Sequence, residues 1–179
     1  MGSPEWSGAE ARFAQVFAHL GAVTAYARRR GAVDPEEIAA ETMAIAWRRL
    51  SEVPVDDARP WLFATARNTL LADRRRRARQ GRVPERAPGA VVPGLLAGEA
   101  GLDPQLAAAL RTLGEADRDA LLLIAWEDLT PAMAAATLGI SQVAFRVRLH
   151  RARRRCQRAL AGRRPGAESA PISPRLEER

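Results

Sequence analysis

The sequence predicts an all-α protein made of two small helical domains. Its 179 residues are rich in Ala, Leu and Arg, whereas aromatic residues make up only 5% of the chain. Ala, Leu and Arg are strong helix formers, and aromatic and β-branched residues are the ones that favour strands. A content of 47% apolar and 27% charged residues is typical of globular domains, so it excludes a wholly disordered chain.

The first helix of the first domain, residues 8–79, is predicted from the spacing of its apolar residues. Five of them recur at helical intervals and define one buried face: Phe13, Val16, Phe17, Leu20 and Val23. We expect this helix to run without a break until Gly31 ends it.

Two further helices complete this domain. Asp34-Pro35 supplies an N-cap and a proline at the first helical position, and the second helix runs to about Leu50. We expect this helix to bury Ile38, Ile45 and Trp47 and to leave Glu36, Glu37 and Glu41 outward. After a turn-rich loop, residues 51–60, the third helix begins at Trp61 and ends in a run of arginines, residues 74–79.

A flexible linker is predicted at residues 80–102. Residues 80–101 read QGRVPERAPGAVVPGLLAGEAG, with three prolines, five glycines and no sustained period. Residues 1–7 are expected to be frayed, and residues 162–179 are expected to form a disordered tail.

The second domain, residues 103–161, is predicted to end in a helix-turn-helix. Two helices come first, one carrying Leu106, Leu110 and Leu113 and one at residues 117–126. Thr130-Pro131 then caps a helix of small residues, Gly139 marks the turn, and a basic helix runs to about Leu160. An apolar stripe lies along the basic helix at i, i+4, i+7 and i+11: Phe145, Leu149, Ala152 and Cys156.

The opposite side of the basic helix is suited to the major groove of DNA. It carries Gln142, Arg146, Val147, His150, Arg151 and Arg154. Arg pairs with guanine and Gln with adenine through two hydrogen bonds, and Val contacts the methyl group of thymine. The remaining arginines are suited to phosphates. A plain helical hairpin with a charged face is the alternative.

The net charge of +7 is concentrated in two blocks. Residues 61–86 carry +6 and residues 141–164 carry +9, whereas residues 1–60, 87–140 and 165–179 carry −2, −5 and −1. All 28 basic residues are arginines. Two compact blocks indicate two places where a polyanion docks, and solvated helix faces are the alternative.

No cofactor, metal site or catalytic constellation is expected, and we therefore do not expect an enzyme. One cysteine, Cys156, and two histidines are too few for a disulfide framework or a typical metal site. We expect no secretory leader and no membrane span, because no apolar stretch of the sequence is long enough to span a membrane. We expect a cytoplasmic protein.

Three stretches together resemble the extracytoplasmic-function (group IV) sigma factors of the sigma-70 family. LTPAMAAATLGISQVAFRVRLHRARRRCQRAL resembles their region 4, whereas DPEEIAAETMAIAWRRL and ARPWLFATARNTLLADRRRRAR resemble their region 2. The resemblance implies a bacterial initiation factor that joins the β′ and β subunits of the RNA polymerase core and directs the enzyme to promoter DNA. It leaves open an anti-sigma factor as a further partner.

The resemblance also implies roles for individual residues. Contacts with core polymerase are expected from Asp34, Glu37, Glu41 and Arg48. Contacts with the −10 element, including a flipped base held by the asparagine, are expected from Asn68, Arg67, Arg74, Arg75, Arg76, Arg77 and Arg79. Contacts with the −35 element are expected from Gln142, Arg146, Val147, Arg148, His150, Arg151 and Arg154.

Two departures from the family pattern and several alternatives accompany these expectations. Ala40 stands where the family has a core-binding glutamine, and Val143-Ala144 replace a common Gly-Thr pair. Glu37 is equally well explained as an acidic first turn that favours the helix dipole, and Asn68 as a surface asparagine without a function. For the whole chain, the alternatives are a conventional helix-turn-helix regulator and a helical RNA-binding protein.

Overall fold

The computed structural model describes residues 8–81 and 103–162, in which all regular structure is helical, as predicted. The helices are α1 (Gly8–Phe17), α2 (Leu20–Arg29), α3 (Pro35–Arg48), α4 (Arg59–Arg79), α5 (Pro104–Arg111), α6 (Glu115–Ala125), α7 (Pro131–Leu138) and α8 (Gln142–Ala161). A 3-10 turn, Leu50–Glu52, follows α3. The predicted frayed residues 1–7, linker residues 82–102 and tail residues 163–179 lie outside the described residues. No helix in the described ranges is long and apolar enough to cross a membrane.

Capping side chains fix the start of the helices that matter for function. Three side chains accept a hydrogen bond from the backbone N–H three residues later: Asp34 at 2.8 Å, Thr130 at 3.3 Å and Ser141 at 3.2 Å. Each cap satisfies an N–H group that the helix itself leaves unpaired. The caps therefore set the register of the exposed residues on α3, α7 and α8.

Helices α2, α3 and α4 form the core of the first unit. Val23, Tyr26, Met43, Leu62 and Phe63 are buried there, and the rings of Tyr26 and Phe63 stack with centroids 5.0 Å apart. Leu62 and Phe63 lie in the first turn and a half of α4. Buried residues of this helix continue to Leu70 and Asp73, and the run of arginines within residues 74–79 follows them.

The first predicted helix is two helices in the structure. A turn at Ala18 and His19 separates α1 from α2, where weak helix formers, His19 and Gly21, flank the start of α2. Val16 and Val23 are buried as expected, but Phe17 is 47% exposed. The prediction of a continuous helix with Phe17 on its buried face was wrong.

The prediction for Trp47 was also wrong. The buried line of α3 runs through Ala39, Met43 and Ala46, and Trp47 lies one residue past it and is 47% exposed. One residue rotates a side chain by about 100° around a helix, which places Trp47 at the edge of the core. There its ring meets the edge of Phe13, with centroids 4.9 Å apart. Ile45 is only half-buried.

The second unit and the first pack directly against each other. Helix α7 lies on α4, and the hydroxyl of Thr137 donates a hydrogen bond to the carbonyl of Pro60 at 3.2 Å. One apolar cluster contains residues of both units, among them Leu62 and Phe63 on α4 and Ala134 on α7. A separate cluster within the second unit includes Leu110, Leu113, Leu122 and Cys156.

Candidate nucleic-acid interface

The turn between α7 and α8 gives the second unit its helix-turn-helix. Gly139 adopts a left-handed conformation with φ of 65°, which favours glycine, and the N–H of Ile140 reaches back to the carbonyl of Ala135 at 3.1 Å. Ala134 and Ala135 are buried, so the small side chains of α7 allow close packing with α8. The sequence predicted this arrangement.

Helix α8 divides cleanly into a buried side and an exposed side. Phe145, Leu149, Ala152 and Cys156 are all buried, so the predicted apolar stripe is where the helix packs. Burial raises the pKa of the Cys156 thiol, which keeps it in its neutral, unreactive form. Cys156 is therefore a packing residue.

The exposed side of α8 holds the predicted reading residues. Six of them are exposed: Gln142, Arg146, Val147, His150, Arg151 and Arg154. Arg148 is half-buried. None of the arginines at 146, 148 and 151 forms an ion pair with another described residue, whereas Arg155, outside the predicted set, pairs with Asp117 at 2.6 Å. The guanidinium groups of Arg146, Arg148 and Arg151 are therefore available to an external ligand.

The arginines of α4 are in a different situation. Arg67 pairs with Asp119 at 3.3 Å and Arg74 with Glu115 at 2.8 Å, and both carboxylates belong to α6 of the other unit. Arg75, Arg79 and the predicted base-binding Asn68 are exposed.

Arg76 and Arg77 are held within the first unit. Both donate to Asp73, at 2.6 and 2.7 Å, and both approach Glu37 on α3, at 3.4 and 3.6 Å. Burial alone raises the pKa of Asp73, but the hydrogen bonds from Arg77 and Arg76 outweigh it and leave this pKa below its ordinary value. Asp73 is therefore a carboxylate that orients these two arginines.

A cleft of about 280 Å³ lies beside the start of α4. The turn-rich loop of residues 51–60 forms one wall of this cleft, and α1 with His19 forms the other. Its polar lining consists of Arg12, Gln15, His19, Asp56, Asp57 and Arg59. Asn68 is not part of the lining, since it lies nine residues after Arg59, or about 13.5 Å along the helix.

The exposed face of α3 holds the predicted core-binding residues, with one exception. Glu37, Glu41 and Arg48 are exposed along it, with Ala40 between them. Asp34 is exposed as well, but its carboxylate caps α3.

Sequence reasoning missed a buried ionic network between the two units. Arg30, only 3% exposed, follows α2 and donates to Asp119 at 3.3 Å and to Glu127 at 3.0 Å, and Arg29 also pairs with Glu127. Burial by itself lowers the pKa of Arg30, but Tyr26, Asp119 and Glu127 outweigh it and leave the pKa raised. Arg30 stays charged inside the protein. No group of metal-ligating side chains occurs in the described ranges.

Comparison with known proteins identifies the family. Sigma-70 region 2 matches residues 16–80, and sigma-70 region 4 matches residues 104–156. The chain belongs to the sigma-70 family. It is a sigma factor of the extracytoplasmic-function type, and it directs transcription initiation.

Two solved structures share the fold of this sigma factor. One is the sigma factor RpoE in complex with the anti-sigma factor NepR from Bartonella quintana, with 27% identity, a TM-score of 0.64 and coverage of 85% of this chain and 98% of that chain. The other is CnrH in complex with the cytosolic domain of CnrY, with 25% identity, a TM-score of 0.57 and coverage of 84% and 88%. No curated protein sequence matches the chain.

Proposed function

We propose that this sigma factor uses α8 to read the −35 element, α4 to hold the −10 element and α3 to bind core polymerase. The observation that supports this most directly is the division of α8 into a fully buried stripe and an opposite face of exposed side chains. A recognition helix needs both, because its packing fixes the side chains that enter the groove.

The −35 element is the proposed partner of the exposed face of α8. Arg146 and Arg151 supply two donors each for guanine, and Gln142 supplies a donor and an acceptor for adenine. Val147 is 51% exposed, which suits contact with a thymine methyl group. Val143, 71% exposed, adds apolar surface, whereas Ala144 lacks the hydroxyl that the threonine of the family pattern offers a phosphate.

The −10 element is the proposed partner of α4 and of the cleft beside it. Arg75 and Arg79 are exposed and can meet phosphates directly. Asn68 presents an amide that both donates and accepts, as reading one base edge requires. The cleft between α1 and the loop of residues 51–60 adds a separate concave surface with acidic and basic groups.

Core polymerase is the proposed partner of the exposed face of α3. Glu41 and Arg48 lie on this face without an ion pair to any described residue. Close to the C-terminal end of α3, an open apolar groove of about 410 Å³ is lined by Phe13, Phe17 and Trp47. The groove adds apolar and aromatic surface next to the charged face of α3. Protein–protein interfaces gain most of their affinity from a few buried residues of this kind.

An anti-sigma factor is a further proposed partner. RpoE and CnrH, which share this fold, are each in complex with a partner protein, and for RpoE that partner is an anti-sigma factor. We expect such a partner to compete with core polymerase for this chain.

Run-off transcription with purified bacterial core polymerase tests the proposal. Arg146→Ala is expected to change the ranking of −35 variants, at about 1–3 kcal/mol for its own base pair, because that side chain reads a base edge. Arg158→Ala is the matched control: Arg158 is exposed near the end of α8, outside the reading set, so its loss should weaken all promoters alike.

Two results would contradict the assignment. Specific duplex binding without any core-dependent transcription would instead indicate a conventional helix-turn-helix regulator. An unchanged −35 ranking for Arg146→Ala would remove direct readout by this side chain.

A further inference from the structure

A small cavity lies where the two units meet. It is lined by side chains of α4 and α6 and by Arg30, which follows α2. Its volume is about 10 Å³, which is close to the minimum that one water molecule needs. The cavity therefore admits a single water molecule or a monatomic ion, and it is too small for a polyatomic group such as phosphate.

The charged side chains around this cavity do not balance. Glu115 accepts a hydrogen bond from Arg74 at 2.8 Å. Asp119 accepts from Arg30 and Arg67, in each case at 3.3 Å. Both acids are thus already paired with arginines of the first unit. The lining carries four arginines against these two acids, a surplus of two positive charges: Arg30, Arg67, Arg74 and Arg118.

Arg118 is the arginine of this group without a carboxylate partner. It is only 4% exposed and forms no ion pair with a described residue. Its Nη1 donates to the backbone carbonyl of Leu113 at 3.2 Å. Burial lowers the pKa of Arg118, and the positive charges of Arg74 and Arg30 act in the same direction, so the two lining acids offset the burial only in part. A buried charge without a counter-charge is strongly destabilising, so this position favours a bound anion.

Two N–H groups at the cavity also have no acceptor. The Nη2 of Arg30 and the Nε of Arg74 are buried without a hydrogen-bond partner in the described ranges, and both side chains line the cavity. The other nitrogens of Arg30 are occupied, because Nε binds Asp119 and Nη1 binds Glu127. Glu127 is itself shared with Arg29, so it leaves the charge surplus as it is. A guanidinium group only donates hydrogen bonds, so its unpaired N–H groups need an acceptor. Water supplies an acceptor but no charge, whereas an anion supplies both.

We propose that this cavity binds one monatomic anion of the size of chloride, with Arg118, Arg30 and Arg74 as its ligands. The three guanidinium groups come from both units, so the ion contributes to the contact between them. The proposal goes beyond the assignments of α3, α4 and α8 and does not rest on them. Because the site exists only in the folded protein, chloride should stabilise the fold by mass action.

Bromide is the probe for the direct test, because it is close to chloride in size and is identified by its anomalous scattering. Crystals of the full chain soaked in sodium bromide should show an anomalous difference peak inside the cavity. The peak should lie in contact with the guanidinium of Arg118, the Nη2 of Arg30 and the Nε of Arg74. This test needs no variant.

Urea denaturation measures whether the ion also binds in solution. Sodium chloride replaces sodium gluconate at constant ionic strength, so that the screening of surface charges does not change. For one site, the unfolding equilibrium constant should fall about tenfold when chloride reaches nine times its dissociation constant. The dependence should follow the saturation curve of a single site.

Arg118→Met separates this site from a general effect of the salt. Methionine keeps the apolar part of the side chain and removes the charge, so the chloride dependence should be lost. Arg111→Met is the matched control, because Arg111 is exposed on α5 and forms no ion pair with a described residue. It makes the same change in net charge and should keep the chloride dependence of the parent.

Three results would overturn the proposal. The first is a cavity that holds only water in the bromide crystals. The second is a bromide peak without chloride-dependent stability, which would mean binding at crystal concentration only. The third is an equal chloride dependence in Arg118→Met and the parent. Should Arg118→Met fail to fold, Arg74→Gln removes the charge of another ligand and is expected to reduce the chloride dependence in the same way.

Discussion

The guanidinium of Arg30 lies 3.6 Å from the centroid of the Tyr26 ring. Tyr26 in turn stacks on Phe63. The charged Arg30, at the boundary between the two units, therefore packs against the aromatic core of region 2. A cation over a ring face is attracted by the π electrons, and the attraction is larger when water is excluded. Region 2 thus holds the arginine that the carboxylates of region 4 bind.

Replacement of Tyr26 by phenylalanine should leave the protein as stable or more stable. The Tyr26 hydroxyl is buried without a hydrogen-bond partner in the described ranges, and burial raises the pKa of this phenol. An unsatisfied buried hydroxyl costs about 1–3 kcal/mol, whereas Phe keeps the ring under Arg30. Urea denaturation measures the change in the free energy of unfolding.

Tyr26→Leu is the control for the ring itself. It removes the stack with Phe63 and the cation–π contact, and we expect it to be clearly destabilising. A loss of more than about 1 kcal/mol in Tyr26→Phe would mean that the hydroxyl has a partner, because that is the typical net contribution of one hydrogen bond.

Stability at low pH should depend on Asp73. Its pKa in the folded protein is depressed, so its carboxylate contributes stability above the unfolded pKa of about 3.9. That contribution is lost as the pH falls through the lower, folded pKa. Asp73→Asn should therefore be less stable than the parent at neutral pH, and the difference should shrink towards pH 2.

Thermal melts between pH 2 and pH 7 measure this dependence. Asp56→Asn is the matched control, since Asp56 is exposed and forms no ion pair with a described residue. A constant difference between Asp73→Asn and the parent over the whole range would show that Asp73 acts through packing and not through its charge.

Helix α8 could be predicted from the sequence because its signals are local. The turn at Gly139 and the i, i+4, i+7 stripe from Phe145 each involve neighbours on one or two turns. The Asp34 cap of α3 is of the same kind. Residue type and spacing determine such features, whatever the rest of the chain does.

The contact between the two units could not be predicted in this way. Arg30 meets Asp119 and Glu127 across 89 and 97 residues, and an ion pair leaves no periodic pattern. The sequence gives only a regional signal of this contact. Residues 87–140, with a net charge of −5, directly follow residues 61–86, with a net charge of +6. Complementary charge indicates attraction between segments, but only the packing of α4 on α7 decides which residues meet.

Asn68→Ala should impair promoter opening and leave duplex binding nearly intact. The proposed partner of Asn68 is one unstacked base, which becomes available only when the −10 region opens. Permanganate footprinting should show fewer reactive thymines in the open complex, and a premelted promoter should lose discrimination at one position. Gln80→Ala is the control, because Gln80 is an exposed amide at the C-terminal end of the same helix. Footprints equal to those of the parent would make Asn68 a surface residue without this role.

Ala40→Gln should strengthen binding to core polymerase. Ala40 is exposed on α3 beside Glu41 and three residues after Glu37, and its methyl group offers neither a donor nor an acceptor to a partner. A glutamine there adds about one net hydrogen bond, or ~0.5–1.5 kcal/mol, and its helix propensity is close to that of alanine. Competition with another sigma factor for limiting core measures the effect directly.

The control for this prediction is Ala22→Gln, which places the same side chain at an exposed position on α2. A gain for Ala40→Gln alone would locate the polymerase on the Glu37–Glu41 face, because a general effect of glutamine on helix stability would appear in both variants. If Ala40→Gln competes no better than the parent, the polymerase meets α3 in a different register. The proposed contact of Glu41 is then wrong as well, since the two residues are adjacent and their assignments depend on the same orientation of the helix.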